Sequence, residues 1–146
     1  MKKVLVLNGP NLNLLGKREP TVYGNASLGD ISLRLESVAP SLGVELEFFQ
    51  SNHEGALIDE LHACIDLVDG AIFNPGAYSH TSIALRDAIA AVGYPVIELH
   101  ISNIFARETF RQHSLLAGVC KGSISGFGLL SYELALIAIA ELVKKD

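Results

Sequence analysis

The polar residues of this 146-residue chain gather in a few short stretches, and several are of types that move protons. Each stretch follows an apolar run. They read Asn8-Gly9-Pro10-Asn11, Gln50-Ser51-Asn52-His53, Asn74-Pro75-Gly76-Ala77-Tyr78-Ser79-His80 and Glu98-Leu99-His100-Ile101-Ser102-Asn103. Asn, Gly, Pro and Ser make turns by themselves, so any one stretch reads first as turn chemistry. Four of them carrying histidines and amides read together as a site. His100 comes directly after a buried run, and Glu98, two residues earlier, falls on the same side of a strand. That spacing suits an acid held in place by a carboxylate. Tyr23 is a poor base at the ordinary phenol pKa of about 10, and a neighbouring arginine would lower it. Arg107 and Arg111 are four apart and share one face of a helical turn, where a solvated face is the plainer alternative. With Arg18 they suit an anionic small molecule. The set as a whole is equipment for taking a proton next to a carbonyl and protonating a leaving group.

Tyr23 and Arg18 lie in the longest connection, GPNLNLLGKREPTVYG, at 9–24. A connection that long between strand and helix is usually functional. Gly16 and Gly24 bracket its basic, tyrosine-bearing part, which suggests a lid that can close. It fails as a phosphate loop: six residues separate Gly9 from Gly16 where about four are needed, and Arg18 stands in place of the magnesium-binding hydroxyl. Other motifs fail too. GSISG (122–126) puts Ile124 where a nucleophile elbow needs serine. GFGLLS (126–131) lacks the last glycine of a dinucleotide fingerprint and follows the last strand. The first strand ends without the acidic pair of a phosphorylated response regulator. No two histidines are spaced i, i+4, and no histidine lies close to Cys120, so no metal is expected. Two cysteines among apolar residues read as buried, inert thiols.

The elements that must position these residues follow from the apolar pattern. Continuous short runs predict strands at 2–8, 44–50, 70–74, 94–100 and 118–126. Helical spacing predicts helices over 28–43, 54–67, 80–92 and 128–145, with a short helical stretch over 106–113. Ser27 and Asp30 form a near capping box for the first helix, and Pro40 should bend or end it a turn early. In the second, Ala56, Leu57, Leu61, Cys64, Ile65 and Val68 should point inward. Strands alternating with helices make a three-layer α/β domain spanning 1–146, with a parallel sheet. The flavodoxin-like order 2-1-3-4-5 is the common solution at this length. In such a sheet the site lies beyond the carboxyl ends of the strands, where the polar stretches fall.

Composition bounds the function. Hydrophobic residues make up 49% of the chain and charged residues 18%, with a net charge of −5, which argues against nucleic-acid and anionic-membrane partners. The acidity is concentrated: between Asp30 and Asp69 a single base, Arg34, stands against nine acids. The loops elsewhere can therefore still present a basic pocket. No run is long enough to span a membrane, and the start lacks a signal-peptide pattern, so the cytoplasm is expected. The last helix is apolar around most of its circumference, at Leu129, Leu130, Leu134, Leu136, Ile137, Ile139, Leu142 and Val143. It is either deeply buried or packed on another subunit, and an oligomer is favoured.

Four blocks carry a family resemblance: GPNLNLLGKREPTVYG (9–24), QSNHEG (50–55), NPGAYSHTSIALRDA (74–88) and ELHISNIFARETFRQHS (98–114). They closely resemble type II 3-dehydroquinate dehydratase, collinearly and over essentially the whole chain. The resemblance implies a flavodoxin-like fold, a homododecamer built as four trimers, and neither metal nor cofactor. It implies dehydration of 3-dehydroquinate to 3-dehydroshikimate through an enolate. Tyr23 matches the base, Arg18 the arginine that helps ionise it, His100 the acid that protonates the departing hydroxyl, and Asn11 the amide that holds a water at the enolate oxygen. Asn74, His80, Ile101, Ser102 and Arg111 match substrate-binding positions, the first pair of neighbours after His100 through main-chain amides. Asp87 matches a position reaching a neighbouring subunit's site. Glu98 is expected to orient His100, and Arg107 to lie near the site. Ser79 stands where threonine is more usual, and neither it nor Pro40 should touch the chemistry. A non-catalytic flavodoxin-like module for phosphate or nucleotide remains the alternative: it explains the fold and the basic loop without needing Tyr23, His100 and the arginines together.

Overall fold

A computed structural model describes residues 1–17, 19, 21 and 24–144 of the chain. Five parallel strands form one sheet: β1 (Lys2–Asn8), β2 (Val44–Gln50), β3 (Gly70–Asn74), β4 (Val96–His100) and β5 (Gly122–Ser125). Their order is β2-β1-β3-β4-β5, as the flavodoxin-like reading anticipates. Helices α1 (Leu28–Val38) and α4 (Leu130–Lys144) cover one face, and α2 (Glu54–Ala63) and α3 (Ile83–Val92) the other. The two cores follow from strand alternation. Val4 and Val6 of β1, Ile72 of β3, and Ile97 and Leu99 of β4 pack under α1 and α4. Leu5 and Leu7 of β1, Phe73 of β3, and Val96 of β4 pack under α2 and α3. Buried on both faces, these strands read as continuous apolar runs.

The helices begin and end where local chemistry dictates. The Ser27 hydroxyl accepts from Asp30 N–H while the Asp30 carboxylate accepts from Ser27 N–H, a complete capping box. Pro40 ends α1 as expected: the α-helix stops at Val38 and a 3₁₀ turn runs over Ala39–Leu42 to Gly43. α2 stops at Ala63, four residues short of its expected end. Ile65 N–H bonds His62 C=O, Asp66 takes a left-handed φ of 65°, and the chain turns toward β3. Ile65 therefore faces outward, against expectation, and Ala56 is only half-buried.

The stretch 106–113 is not one helix. Two 3₁₀ turns, Ile104–Ala106 and Thr109–Arg111, are separated by extended backbone at Arg107 and Glu108. Phe105 and Phe110 are exposed and only Ile104 is buried, so a longer helix would have no apolar stripe to bury. Arg107 and Arg111 accordingly do not share a helical face. α4 buries Tyr132, Ala135, Leu136, Ile139, Ala140 and Val143 within this chain, while Ile137 remains exposed. Its apolar character is thus largely explained inside the subunit. A Cβ at Gly70 would come within 2.9 Å of Ile139, so α4 lies close on β3 because that position has no side chain. No helix among the described residues is long and apolar enough to cross a membrane.

Candidate active site

The polar stretches meet at the carboxyl edge of the sheet. Gly9 N–H bonds the Asn74 carbonyl at 2.8 Å, which ties the first loop to the third. A Cβ at Gly9 would lie 2.5 Å from the Pro75 carbonyl oxygen, so only glycine allows this approach. Asn11 adopts a left-handed φ of 68°, and its N–H donates to the Asn52 side chain at 2.9 Å. Asn52 also accepts from the Gln50 amide, which donates to the Gly9 carbonyl as well. The ends of β1 and β2 are laced together in this way. The resulting pocket is lined by Asn11, Asn74, His80, His100, Ile101, Ser102, Arg107 and Arg111, with Pro10, Leu12, Gly76, Ala77 and Ile104.

Glu98 and His100 occupy alternate positions of β4 and point to the α3 side of the sheet. Their side chains are buried, and Glu98 Oε2 lies 2.6 Å from His100 Nε2. Glu98 also accepts from the Ser114 hydroxyl at 2.8 and 2.9 Å. His80 stacks on His100, with ring centroids 6.2 Å apart. The His113 carbonyl lies 2.8 Å from His80 Nδ1 and can only accept, so Nδ1 carries the proton. Burial pushes His80 below the usual imidazole range; the His113 carbonyl opposes this, and the neighbouring His100 and Arg111 add to it. His80 is thus a weaker base than a free imidazole. Ser79, set aside on the sequence, does touch this region: its buried hydroxyl lies 3.3 Å from His80 Nε2.

Asn74 is held by a buried chain that the sequence did not reveal. Asn8 and Asn74 are paired neighbours on β1 and β3, and both face α4. The Tyr132 hydroxyl on α4 donates to Asn8 Oδ1 at 2.6 Å and accepts from Asn74 Nδ2 at 2.9 Å. Asn74 Oδ1 accepts from Gly76 N–H at 3.2 Å. The orientation of the Asn74 amide is therefore fixed from both ends. Desolvation pushes the Tyr132 phenol far above its ordinary range, so it stays protonated and able to donate. The sequence signal was a tyrosine hydroxyl carried on a largely apolar helix.

Arg107 and Arg111 reach the pocket from the two 3₁₀ turns, with Glu108 between them. Arg111 Nε is 3.1 Å and Arg107 Nε 3.8 Å from its carboxylate. Glu108's own backbone N–H and then Arg111 hold that carboxyl below the usual range. The two guanidinium groups bring positive charge to this wall, as an anionic ligand requires. Ile101 and Ser102 directly follow β4, with the Ile101 side chain buried and its carbonyl accepting from Gly128 N–H. Asp87 is not brought to the pocket. It lies exposed on α3, in a shallow depression with Ile58, His62, Ala84, Ala88 and Ala91. Arg18 and Tyr23 lie outside the described residues.

Among the described residues, no three His, Cys, Asp or Glu side chains gather as a metal site. Both cysteines are free. Burial pushes the Cys64 thiol up to about 11 and Cys120 up to about 12, although Cys120 is only half-buried.

The model of the family Dehydroquinase class II matches residues 2–140. A 3-dehydroquinate dehydratase of Desulforudis audaxviator is 57% identical over 143 residues, covering 98% of this chain and 95% of the relative. One of Bacillus cereus is 54% identical over 145 residues, covering 99% of each. The crystal structure of a type II dehydroquinase from Propionibacterium acnes superposes with a TM-score of 0.92 at 43% identity, covering 97% of both chains. With sequence and architecture in agreement over nearly the full length, this chain belongs to the class II dehydroquinase family.

Proposed function

We propose that this chain is a hydro-lyase that removes water from 3-dehydroquinate by anti elimination, giving 3-dehydroshikimate, in the shikimate route to chorismate and the aromatic amino acids. Family membership supports the reaction. The observation that carries the reading at the level of chemistry is His100 in the wall of a cation-lined pocket, with buried Glu98 paired to it from behind. In the proposed sequence the Tyr23 phenolate, favoured by Arg18, takes the proton at C2. The electron pair moves to the ketone oxygen as an enolate, and Asn11 positions a water against that oxygen. The enolate then collapses, the C1 hydroxyl leaves with the proton of His100 as water, and the conjugated ketone forms. Asn74 and His80 would hold ring hydroxyls, and Arg111 with the Ile101 and Ser102 amides the carboxylate, with Arg107 adding charge nearby. No step calls for a metal or cofactor. Adding 3-dehydroquinate and following the rise in ultraviolet absorbance of the conjugated product tests the reading. Binding by a folded protein without that rise would favour the phosphate- or nucleotide-binding alternative.

An enolate route forms no imine. Lys17 and Lys121 are the lysines away from the termini, and neither has a covalent role here. Borohydride added with substrate should therefore leave activity unchanged. Inactivation with a lysine adduct in the mass spectrum would overturn the mechanism.

The chain works, in this reading, as one domain in the cytoplasm and as a homododecamer of four trimers. Exposed Ile83, Phe105, Phe110, Phe127 and Leu130 support an assembly, because a lone chain would leave them in water. Asp87 would then serve a neighbour's site, since it lies outside its own. Light scattering should give twelve times the chain mass of 15.6 kDa, and Asp87→Ala should raise KM within an intact assembly. A monomer at assay concentration with full activity would refute this.

A further inference from the structure

Ser114 stands at the end of the strap that runs from Arg111 past the site, and its hydroxyl has a saturated set of partners. A serine hydroxyl offers one hydrogen and two lone pairs. Ser114 Oγ accepts from Leu116 N–H and from Ala117 N–H, each at 3.1 Å, which occupies both lone pairs. Its hydrogen is left for Glu98, whose two oxygens lie 2.8 and 2.9 Å away. Ser114 can therefore donate to Glu98 but has no lone pair left with which to accept from it. A protonated Glu98 would have to aim its hydrogen at His100 or at an oxygen already filled.

We propose that Ser114 is a positioning residue that, by donating to Glu98, favours its accepting form and thereby dictates which nitrogen of His100 carries the exchangeable proton. As a carboxylate Glu98 can only accept, so His100 Nε2, 2.6 Å from it, must be a donor. Nδ1 is then the nitrogen left to take up and release the proton used in elimination. The same strap sets the second histidine, because the carbonyl of His113 holds the proton of His80 on Nδ1. Adjacent residues of one strap thus impose opposite tautomers on two stacked rings. A backbone bond from Leu115 N–H to the Ser79 carbonyl, at 2.6 Å, and one from Arg86 Nη1 to the Leu115 carbonyl, at 2.7 Å, anchor the strap. Part of this inference, the use of His100 as the acid, rests on the dehydration reading.

The test is Ser114→Ala beside Ser114→Thr, which keeps the hydroxyl. In the unsubstituted protein, ¹⁵N spectra of histidine-labelled protein should show neutral His100 protonated on Nε2. Ser114→Ala should shift part of the population to the Nδ1–H form and lower kcat about tenfold, with KM within about twofold, as expected for losing a bond to a charged group. Ser114→Thr should restore both signals. A purely structural role, filling the two backbone donors, would lower the melting temperature of Ser114→Ala without moving the nitrogen signals, and that result would overturn the proposal. An unchanged tautomer with kcat within about twofold would overturn it as well. The nitrogen signature is read without substrate, so absence of turnover in the unsubstituted protein would strike the dehydration reading and leave this one standing.

Discussion

Tyr23→Phe is expected to lower kcat by about a thousandfold or more while substrate still binds with nearly unchanged affinity. Phenylalanine keeps the ring and removes only the oxygen that takes the C2 proton. General-base catalysis is worth about 10²–10⁴-fold, and no other group in the proposed sequence can replace it. Water is too weak a base, and burial makes His80 a weaker base than a free imidazole. Stopped turnover by ultraviolet absorbance, paired with binding by calorimetry, separates the two effects. Turnover within a few fold of the parent would remove Tyr23 from the role of base. If binding is lost in step with turnover, its part is in holding substrate instead.

The second large effect is expected at a residue that does not line the pocket. Glu98→Gln should lower kcat by about a hundredfold with little change in KM. Glu98 is 1% exposed and sits behind His100, so substrate does not touch it. Glutamine fills the same space but replaces one accepting oxygen by a donor. Either that donor faces His100 Nε2 and forces the ring into the other tautomer, or it faces Ser114, whose lone pairs are already taken. Both arrangements also forfeit the negative charge that stabilises the imidazolium, worth about 1.5–3 kcal/mol as a charge-assisted hydrogen bond. Steady-state kinetics measure the split between kcat and KM. A rise in KM with kcat preserved would mean that Glu98 shapes the pocket rather than the acid.

The sheet and most of the site were legible along the chain because both are written locally. Period-two burial on two-sided strands leaves unbroken apolar runs, and the polar stretches after them fall at one edge once the strands are parallel. Glu98 and His100 could be paired from spacing alone, since alternate residues of a strand share a face. Pro40 announced its break because proline's constraint acts on its own turn. The stretch 106–113 could not be judged this way. Whether Phe105 and Phe110 bury depends on what packs against them, and both stay largely exposed.

What the sequence by itself determined, then, is the order of elements, the edge at which the site forms and the family blocks that fill it. Only the tertiary structure decided who supports those residues. Tyr132 reaches Asn8 across 124 positions of chain and Asn74 across 58, and Ser114 reaches Glu98 across 16. No periodicity records such pairings, because they arise where a helix or strap is laid over a sheet by the burial of other residues. Proton-moving groups are chosen by type and can be read from a chain. Their tautomers and orientations are chosen by hydrogen-bond partners brought together through packing, and those belong to the fold.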